Sequence, residues 1–267
     1  MSVDPSRGVA LVRPVVDRLA EGLVTHIERS VVDVELARRQ HAAYCQALAA
    51  AGWSLLEVPP APDHPDSVFV EDMVVVVGDL AVLASPGAEQ RRGELSAVAG
   101  CVASLGLRTA RIEVRDGAGY LDGGDVLQVG DTVYVGRGGR TDGEGVRQLR
   151  ALVEPLGRTV VPVELGSVLH LKSAVTALPD GTFVGWPGLV DQAPFATWRD
   201  VPEEPGAHVV PVGSGTVLMA ASAVRTVPWF EDLGFDVVAV DISELEKLEG
   251  CVTCLSVLVP GARLPTS

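Results

Sequence analysis

No apolar run in this chain approaches the ~20 residues that a membrane-crossing helix needs, which argues against a helical membrane protein. Positive charge is scarce: 21 Lys and Arg face 35 Asp and Glu, a formal charge of −14. Such a surface repels phosphate backbones and anionic lipid, so nucleic acid and membrane are excluded as partners and a small cation is favoured. Cysteine is also sparse, four in 267 residues, too few for a disulfide framework and in keeping with a reducing compartment. The start, Met1-Ser2-Val3-Asp4-Pro5-Ser6-Arg7, lacks the basic-then-apolar form of a signal peptide. Together these features predict a cytoplasmic protein. No Ser/Gly linker interrupts the chain, and 47% of its residues are hydrophobic, so residues 1–267 read as a single domain with Gly261 to Ser267 as a loose tail.

What is present is a repeat. Val74 to Val77, Gly78-Asp79 and Ala81 to Ala84 predict a hairpin, and Val126 to Val129, Gly130-Asp131 and Thr132 to Val135 predict the same hairpin about 50 residues later. A helix follows each. Leu95, Val98, Val102 and Leu105 precede Gly106, and Val146, Leu149, Val153 and Leu156 precede Gly157, both at helical spacing with a glycine stop. Weaker copies run from Ala174 to Trp186 and from Val209 to Ala220, with a helix near Pro228 to Leu233 and a strand at Val237 to Val240 that is assigned to the last copy. At the N-terminus a strand from Gly8 precedes a mixed-polarity flap up to Ser30. A helix then opens at Asp33, carries Leu36, Tyr44, Ala47 and Leu48 on one face, and stops at Gly52; a strand follows at Leu55 to Val58. Five such units predict an α/β ring of ββα-type blades rather than an open sheet.

The chemistry concentrates near the C-terminus. In Glu249-Gly250-Cys251-Val252-Thr253-Cys254-Leu255-Ser256-Val257 a Gly-led turn runs into a β-branched apolar segment, which predicts a strand with a cysteine at its accessible end. His170 lies in the strand-like Val168 to Ser173, and Asp122 precedes two glycines in Leu121-Asp122-Gly123-Gly124-Asp125. A thiol, an imidazole and an acid from separate segments are the parts of a thiol hydrolase. Singly, each has a blander role: a structural histidine, a turn aspartate, a core cysteine. The Cys251-x-x-Cys254 spacing also fits a redox pair or half a zinc site. The redox motif normally opens a helix whereas this segment reads as a strand, and no second Cys/His pair completes a zinc site. Strand parity puts the two thiols on opposite faces.

Four segments together resemble one family. Asp66-Ser67-Val68-Phe69-Val70-Glu71-Asp72, Leu121 to Leu127, Leu169-His170-Leu171-Lys172-Ser173 and Leu248 to Val257 closely resemble the motifs of dimethylarginine dimethylaminohydrolases, members of the pentein, or guanidine-modifying, superfamily. The resemblance runs from about Arg13 to Val259 and implies a five-bladed β/α propeller acting as one catalytic domain. It implies Cys254 as nucleophile, His170 as general acid and base, and Asp122 as its partner. It places Asp72, with Glu71 beside it, at the substrate guanidinium, Asp66 and the Leu248 carbonyl near the α-amino group, and Arg91 and Arg140 at the carboxylate. The flap aligns loosely, with Leu23 or Val24 as lid residue; Val24 is taken.

The implied reaction is hydrolysis of Nω,Nω-dimethyl-L-arginine, and of the monomethyl form, to citrulline and an amine. It proceeds through a thiouronium on cysteine, with no metal or cofactor. A planar guanidinium is a poor electrophile, so carboxylates must fix it while a thiolate attacks its carbon and an imidazolium protonates the leaving amine. Two alternatives remain open at this level. An arginine deiminase shares the triad but usually carries an inserted helical bundle, for which this chain has no room. A non-catalytic pentein that only binds, like the ribosome anti-association factors, would have no use for the Cys, His and acid set. The resemblance leaves a homodimer open.

Overall fold

The computed structural model describes residues 8–213 and 215–265. The expected N-terminal feature at Met1 to Arg7, residue 214 of the turn before Thr216, and the last two residues of the predicted tail lie outside them. From 261 to 265 the tail is turn and coil.

Short, wholly apolar runs and a two-residue turn make the first hairpin: β3 (Val74–Val77) pairs antiparallel with β4 (Leu80–Leu83). Gly78 takes a φ of 61° in the turn between them and Gly130 a φ of 57° in its repeat, a conformation that costs glycine little. Helix α2 (Leu95–Ser104) then returns the chain to β5 (Arg108–Arg111), which pairs parallel with β4. The second unit repeats this with β6 (Val126–Val129), β7 (Thr132–Arg137), α3 (Gly143–Val153) and β8 (Thr159–Glu164). In the third, β9 (Val175–Ala177), β10 (Phe183–Gly185) and β11 (Trp198–Asp200) form the sheet, and the loop 186–197 stands where a helix would be. The fourth comprises β12 (Val209–Pro211), β13 (Thr216–Ala220), α4 (Thr226–Asp232) and β14 (Asp236–Val240).

Each blade is therefore ββαβ in outline rather than ββα. The parallel third strands Arg108–Arg111, Thr159–Glu164 and Trp198–Asp200 are the part the sequence reading omits, whereas Ser54–Glu57 and Asp236–Val240 match its strands at Leu55 to Val58 and Val237 to Val240.

The fifth blade joins the two ends of the chain. Strand β1 (Val9–Val12) pairs parallel with β2 (Ser54–Glu57) across α1 (Val34–Ala50) and antiparallel with β15 (Val257–Val259). Asp33 caps α1 by accepting a hydrogen bond from the Leu36 amide, as its place before the apolar stripe predicts. The buried stripe is Ala37, Gln40, His41, Tyr44 and Leu48, with Leu36 only half-buried. A short helix, α5 (Ser243–Glu246), precedes β15.

The core shows that the five sheets close on themselves. It consists of five apolar clusters, each shared by two consecutive blades: β3 and β4 with β6 and β7, β6 and β7 with β9 and β10, β10 with β12 and β13, β12 and β13 with β1 and α1, and β1 and β15 with β3 and α2. One strand of every blade, β3, β6, β9, β12 and β15, also lines a central cavity of about 270 Å³. This is the ring of blades that the repeat predicts, and it has the five blades that the pentein resemblance implies.

Candidate active site

Every inner strand is entered through a short 3-10 turn: Val70–Met73, Gly123–Asp125, Leu171–Ser173, Glu204–Ala207 and Val252–Leu255. The candidate residues sit on these turns. Asp72 is in the first, Asp122 and His170 immediately precede the second and third, and Cys254 is in the fifth. His170 is extended but lies in no strand, and Cys254 lies in a 3-10 turn, so both strand assignments are corrected. The apolar β-branched residues beside Cys254 favour a strand locally, but Tyr44 of α1 fixes the turn, its hydroxyl 2.8 Å from the Val252 carbonyl and 2.8 Å from Ser256 Oγ.

The two glycines after Asp122 permit the blades to meet. A Cβ on Gly123 would lie 2.1 Å from the Glu71 carbonyl oxygen, and one on Gly124 would lie 2.7 Å from both Asp72 Oδ1 and His170 Nδ1. With hydrogens there instead, His170 Nε2 reaches Asp122 Oδ2 at 3.0 Å while Nδ1 stands 3.7 Å from Asp72 Oδ1. Asp122 Oδ1 accepts from the Gly87 amide at 2.9 Å. Thr141 Oγ1 accepts from the Asp122 amide and donates to Asp125, which accepts in turn from the Leu171 amide. That chain ties the acid and the histidine to one frame.

Asp72, Asp122 and His170 are buried, and their charges decide one another. Burial alone would keep His170 neutral, but the charge of Asp72, the Asp122 hydrogen bond and the charges of Asp125 and Asp122 outweigh it and raise its pKa to about 10. Burial likewise disfavours ionised Asp72, yet His170, Arg91 and the Gly124 amide hold its carboxyl below the ordinary range. The result is a buried imidazolium whose Nδ1 has no hydrogen-bond partner among the described residues. The Cys254 thiol is pushed up, first by its hydrogen bond to Cys251 and then by burial and nearby negative charge, including Glu71 and Asp72.

Asp66, Asp72, Arg91, Arg140, His170, Leu248 and Cys254 line one pocket of about 20 Å³, room for about one water. A flap closes it: the Leu23 amide donates to Asp66 at 3.0 Å, and the Thr25 and His26 amides donate to the Glu249 carboxylate at 2.5 and 2.7 Å. Leu23 lines the pocket, whereas Val24 packs against the apolar cluster between the fourth and fifth blades. Of the two residues named for the lid, the structure brings Leu23 and not Val24 to the pocket. Glu249 holds its place at a φ of 60°, an uncommon conformation for a side chain of this kind.

The two arginines differ. Arg140 is half-buried and makes one hydrogen bond among the described residues, to Thr25 Oγ1 at 3.2 Å. Arg91 is buried, with Nε on Glu94, Nη2 on Glu94 and the Asp66 and Phe69 carbonyls, and one Nη1 hydrogen on Asp72, so a single Nη1 hydrogen is left for a ligand. Glu71 is not in this pocket. It lines the central cavity, paired with Lys172 at 2.7 Å, and burial pushes its pKa up to about 8 despite that partner.

Over 249 residues the chain is 58% identical to the N(G),N(G)-dimethylarginine dimethylaminohydrolase of Streptomyces coelicolor, covering 93% of this chain and 95% of that one. The chain belongs to the dimethylarginine dimethylaminohydrolase family. The Pseudomonas aeruginosa enzyme of that name is 33% identical over 242 residues, 89% of this chain and 94% of its own. Two solved dimethylarginine dimethylaminohydrolase structures superpose on the ring. A His-to-Gly variant, as an adduct with S-methyl-L-thiocitrulline, has a TM-score of 0.87 and 33% identity over 93% of this chain and 98% of that one. A Cys-to-Ser variant from P. aeruginosa, complexed with citrulline, has a TM-score of 0.86 and 32% identity over 97% and 100%. No family model matches the chain. Among the described residues, no helix is long and apolar enough to cross a membrane.

Within this dimethylarginine dimethylaminohydrolase ring, Asp72, Asp122 and His170 offer ligand atoms within 4.8 Å of one another. Residues the sequence reading passes over are Glu94, which holds Arg91; Asp125 and Thr141, which frame the acid and the histidine; and Glu249, which latches the flap. Asp125 had a signal in its place beside Asp122. The partners of Glu94 and Glu249 come from folding and leave none.

Proposed function

We propose that the protein hydrolyses Nω,Nω-dimethyl-L-arginine, and the monomethyl form with it, to L-citrulline and the methylated amine through a covalent intermediate on Cys254. The observation that carries this reading is the unpaired Nδ1 of a buried imidazolium in the same pocket as a thiol, in a chain so similar to a dimethylarginine dimethylaminohydrolase. The relatives with citrulline and with the thiocitrulline adduct are variants at a cysteine and a histidine, the same two side-chain types.

The flap opens to admit the substrate, since the closed pocket is far too small for it. Arg140, with the one free hydrogen of Arg91, takes the α-carboxylate; Asp66 and the Leu248 carbonyl take the α-ammonium. Asp72 holds a guanidinium nitrogen, and Asp122 keeps the His170 ring in place. Before binding, the hydrogen bond to Cys251, then burial and nearby negative charge, keep Cys254 protonated. A cation about 4 Å from the sulfur contributes on the order of 4 kcal/mol at an effective dielectric near 20, about three pKa units, which favours the thiolate as the substrate arrives.

The thiolate then attacks the guanidinium carbon. His170 passes its proton to the departing amine, the carbon–nitrogen bond breaks and a thiouronium remains on Cys254. His170, now neutral, takes a proton from water as its oxygen attacks that carbon, and the sulfur leaves as citrulline forms. The whole chain, 1–267, acts as one catalytic domain in this reading. The test compares purified protein on asymmetric dimethylarginine, monomethylarginine and arginine, measuring citrulline. Release from both methylated forms is expected; turnover of arginine alone would make the protein a deiminase, and none with any guanidine would make it a binding protein.

A further inference from the structure

The strand-parity expectation for the two neighbouring cysteines fails in a way that has chemical consequences. Cys251 and Cys254 are both buried, and their sulfurs are 3.2 Å apart. The cause is the 3-10 turn Val252–Leu255, whose first cap is Cys251. With three residues per turn, positions i and i+3 fall on the same edge about 6 Å apart, within the Cα separation that a disulfide spans. The ground for setting aside a redox pair, that the C-x-x-C segment opens a strand, is removed with it. By position in the repeat, Cys251 enters the fifth turn as Asp122 and His170 enter the second and third.

Cys251 faces a different space from Cys254. It lines a cavity of about 340 Å³ with Ser167, Ser173, Glu204, His208 and Glu249, next to the substrate pocket and sharing Leu169, Glu249 and Gly250 with it. Thr253 Oγ1 lies 3.0 Å from its sulfur, and the buried Nδ1 of His208 has no hydrogen-bond partner among the described residues. These surroundings suit a thiolate. The hydrogen bond from Cys254 does most to lower the Cys251 pKa; burial opposes it, and His208, Thr253 and the Cys254 amide add to the lowering. Low pKa and access together mark the thiols that peroxides oxidise.

We infer that Cys251 and Cys254 form a dithiol–disulfide site through which hydrogen peroxide, entering by the Cys251 cavity, reversibly blocks the nucleophile. The Cys251 thiolate attacks one peroxide oxygen, the O–O bond breaks, and the released hydroxide takes up a proton as water, leaving a sulfenic acid on Cys251. Cys254 sulfur then attacks the Cys251 sulfur, the S–O bond breaks, and the departing hydroxide leaves as a second water with the Cys254 proton. Two thiols and one peroxide become one disulfide and two waters, and a dithiol reverses the change by exchange. The block on activity rests on the reading of Cys254 as nucleophile; disulfide formation itself does not.

The experiment treats the protein, freed of added thiol reductant, with a few equivalents of hydrogen peroxide and follows activity alongside the tryptic peptide Leu248 to Arg263, which holds both cysteines. That peptide should become lighter by two hydrogens and resistant to iodoacetamide in step with loss of citrulline formation, and dithiothreitol should reverse both changes. In Cys251→Ser no such peptide should form, and the share of activity recovered by dithiothreitol should fall severalfold as Cys254 proceeds to sulfinic acid. Because the mass is read on the unaltered chain, the result does not depend on a variant folding. Peptides that gain oxygen without ever losing two hydrogens would overturn the inference. Disulfide formation with activity intact would overturn the block and, separately, the assignment of Cys254.

Discussion

Gly124→Ala is the sharpest test of how the blades are fitted together. The added Cβ would lie 2.7 Å from Asp72 Oδ1 and from His170 Nδ1, and 2.8 Å from His170 Cγ, where ordinary contact begins at 3.4 Å. Something must retreat by about 0.7 Å. Neither side chain has slack. Asp72 is tied to Arg91 and the Gly124 amide, and His170 to Asp122 at 3.0 Å, so a shift of that size along the His170–Asp122 bond would stretch it beyond hydrogen-bond range. Misplacement on this scale costs on the order of 100-fold in rate, or about 2.7 kcal/mol of transition-state stabilisation, while overpacking destabilises the fold by about 1 to 3 kcal/mol. The assay is kcat/KM for citrulline release beside thermal unfolding. Gly100→Ala is the control: Gly100 lies in α2 with nothing within 4 Å of its would-be Cβ, so activity should hold and stability rise by about 0.5 to 1 kcal/mol. A folded Gly124→Ala protein with kcat/KM within twofold of the parent would refute the placement of His170.

Further outcomes follow from the same geometry. Because His170 is raised to about 10, kcat/KM should rise with pH as Cys254 ionises and fall near pH 10; a decline centred near pH 6.5 would mean His170 is neutral in the free protein. The stability from charged His170 should be complete below its unfolded pKa of about 6.5 and lost as pH rises through about 10, whereas that from Asp72, whose pKa is lowered, should be present above about 3.9 and lost as pH falls through the folded value. Arg140→Lys loses the planar fork and should weaken transition-state binding by roughly 1 to 3 kcal/mol with the fold intact; unchanged kinetics would place Arg140 outside the site. Glu249→Gln keeps one acceptor for the two flap amides and should raise KM several-fold, about 1 kcal/mol for a part-exposed charged latch, with little change in thermal unfolding; an unchanged KM would remove the latch.

The hairpins were legible because the apolar runs of β3 and β6 end at glycine turns, and that repeat was enough to point to a ring. Three of the third strands were not. Arg108–Arg111 and Trp198–Asp200 are short and mostly exposed or half-exposed, so burial writes no pattern into them. The 3-10 turns were hidden for another reason. Val252 and Thr253 favour a strand, and only tertiary contacts such as the Tyr44 hydroxyl set the turn that brings Cys251 against Cys254. The candidate residues could be named from motifs, but the commitment of Arg91 to Asp72 and Glu94, the separation of Glu71 into the central cavity and the choice of Leu23 over Val24 depend on which neighbours the ring brings together.

The central claim is that Cys254 carries the chemistry. Its most direct measurement is citrulline release from asymmetric dimethylarginine by Cys254→Ser, compared with the parent protein and with thermal unfolding as a check on the fold. A serine hydroxyl is scarcely ionised at neutral pH, so a loss of roughly three orders of magnitude or more is predicted in a folded protein. Citrulline release at the parent rate would contradict the account.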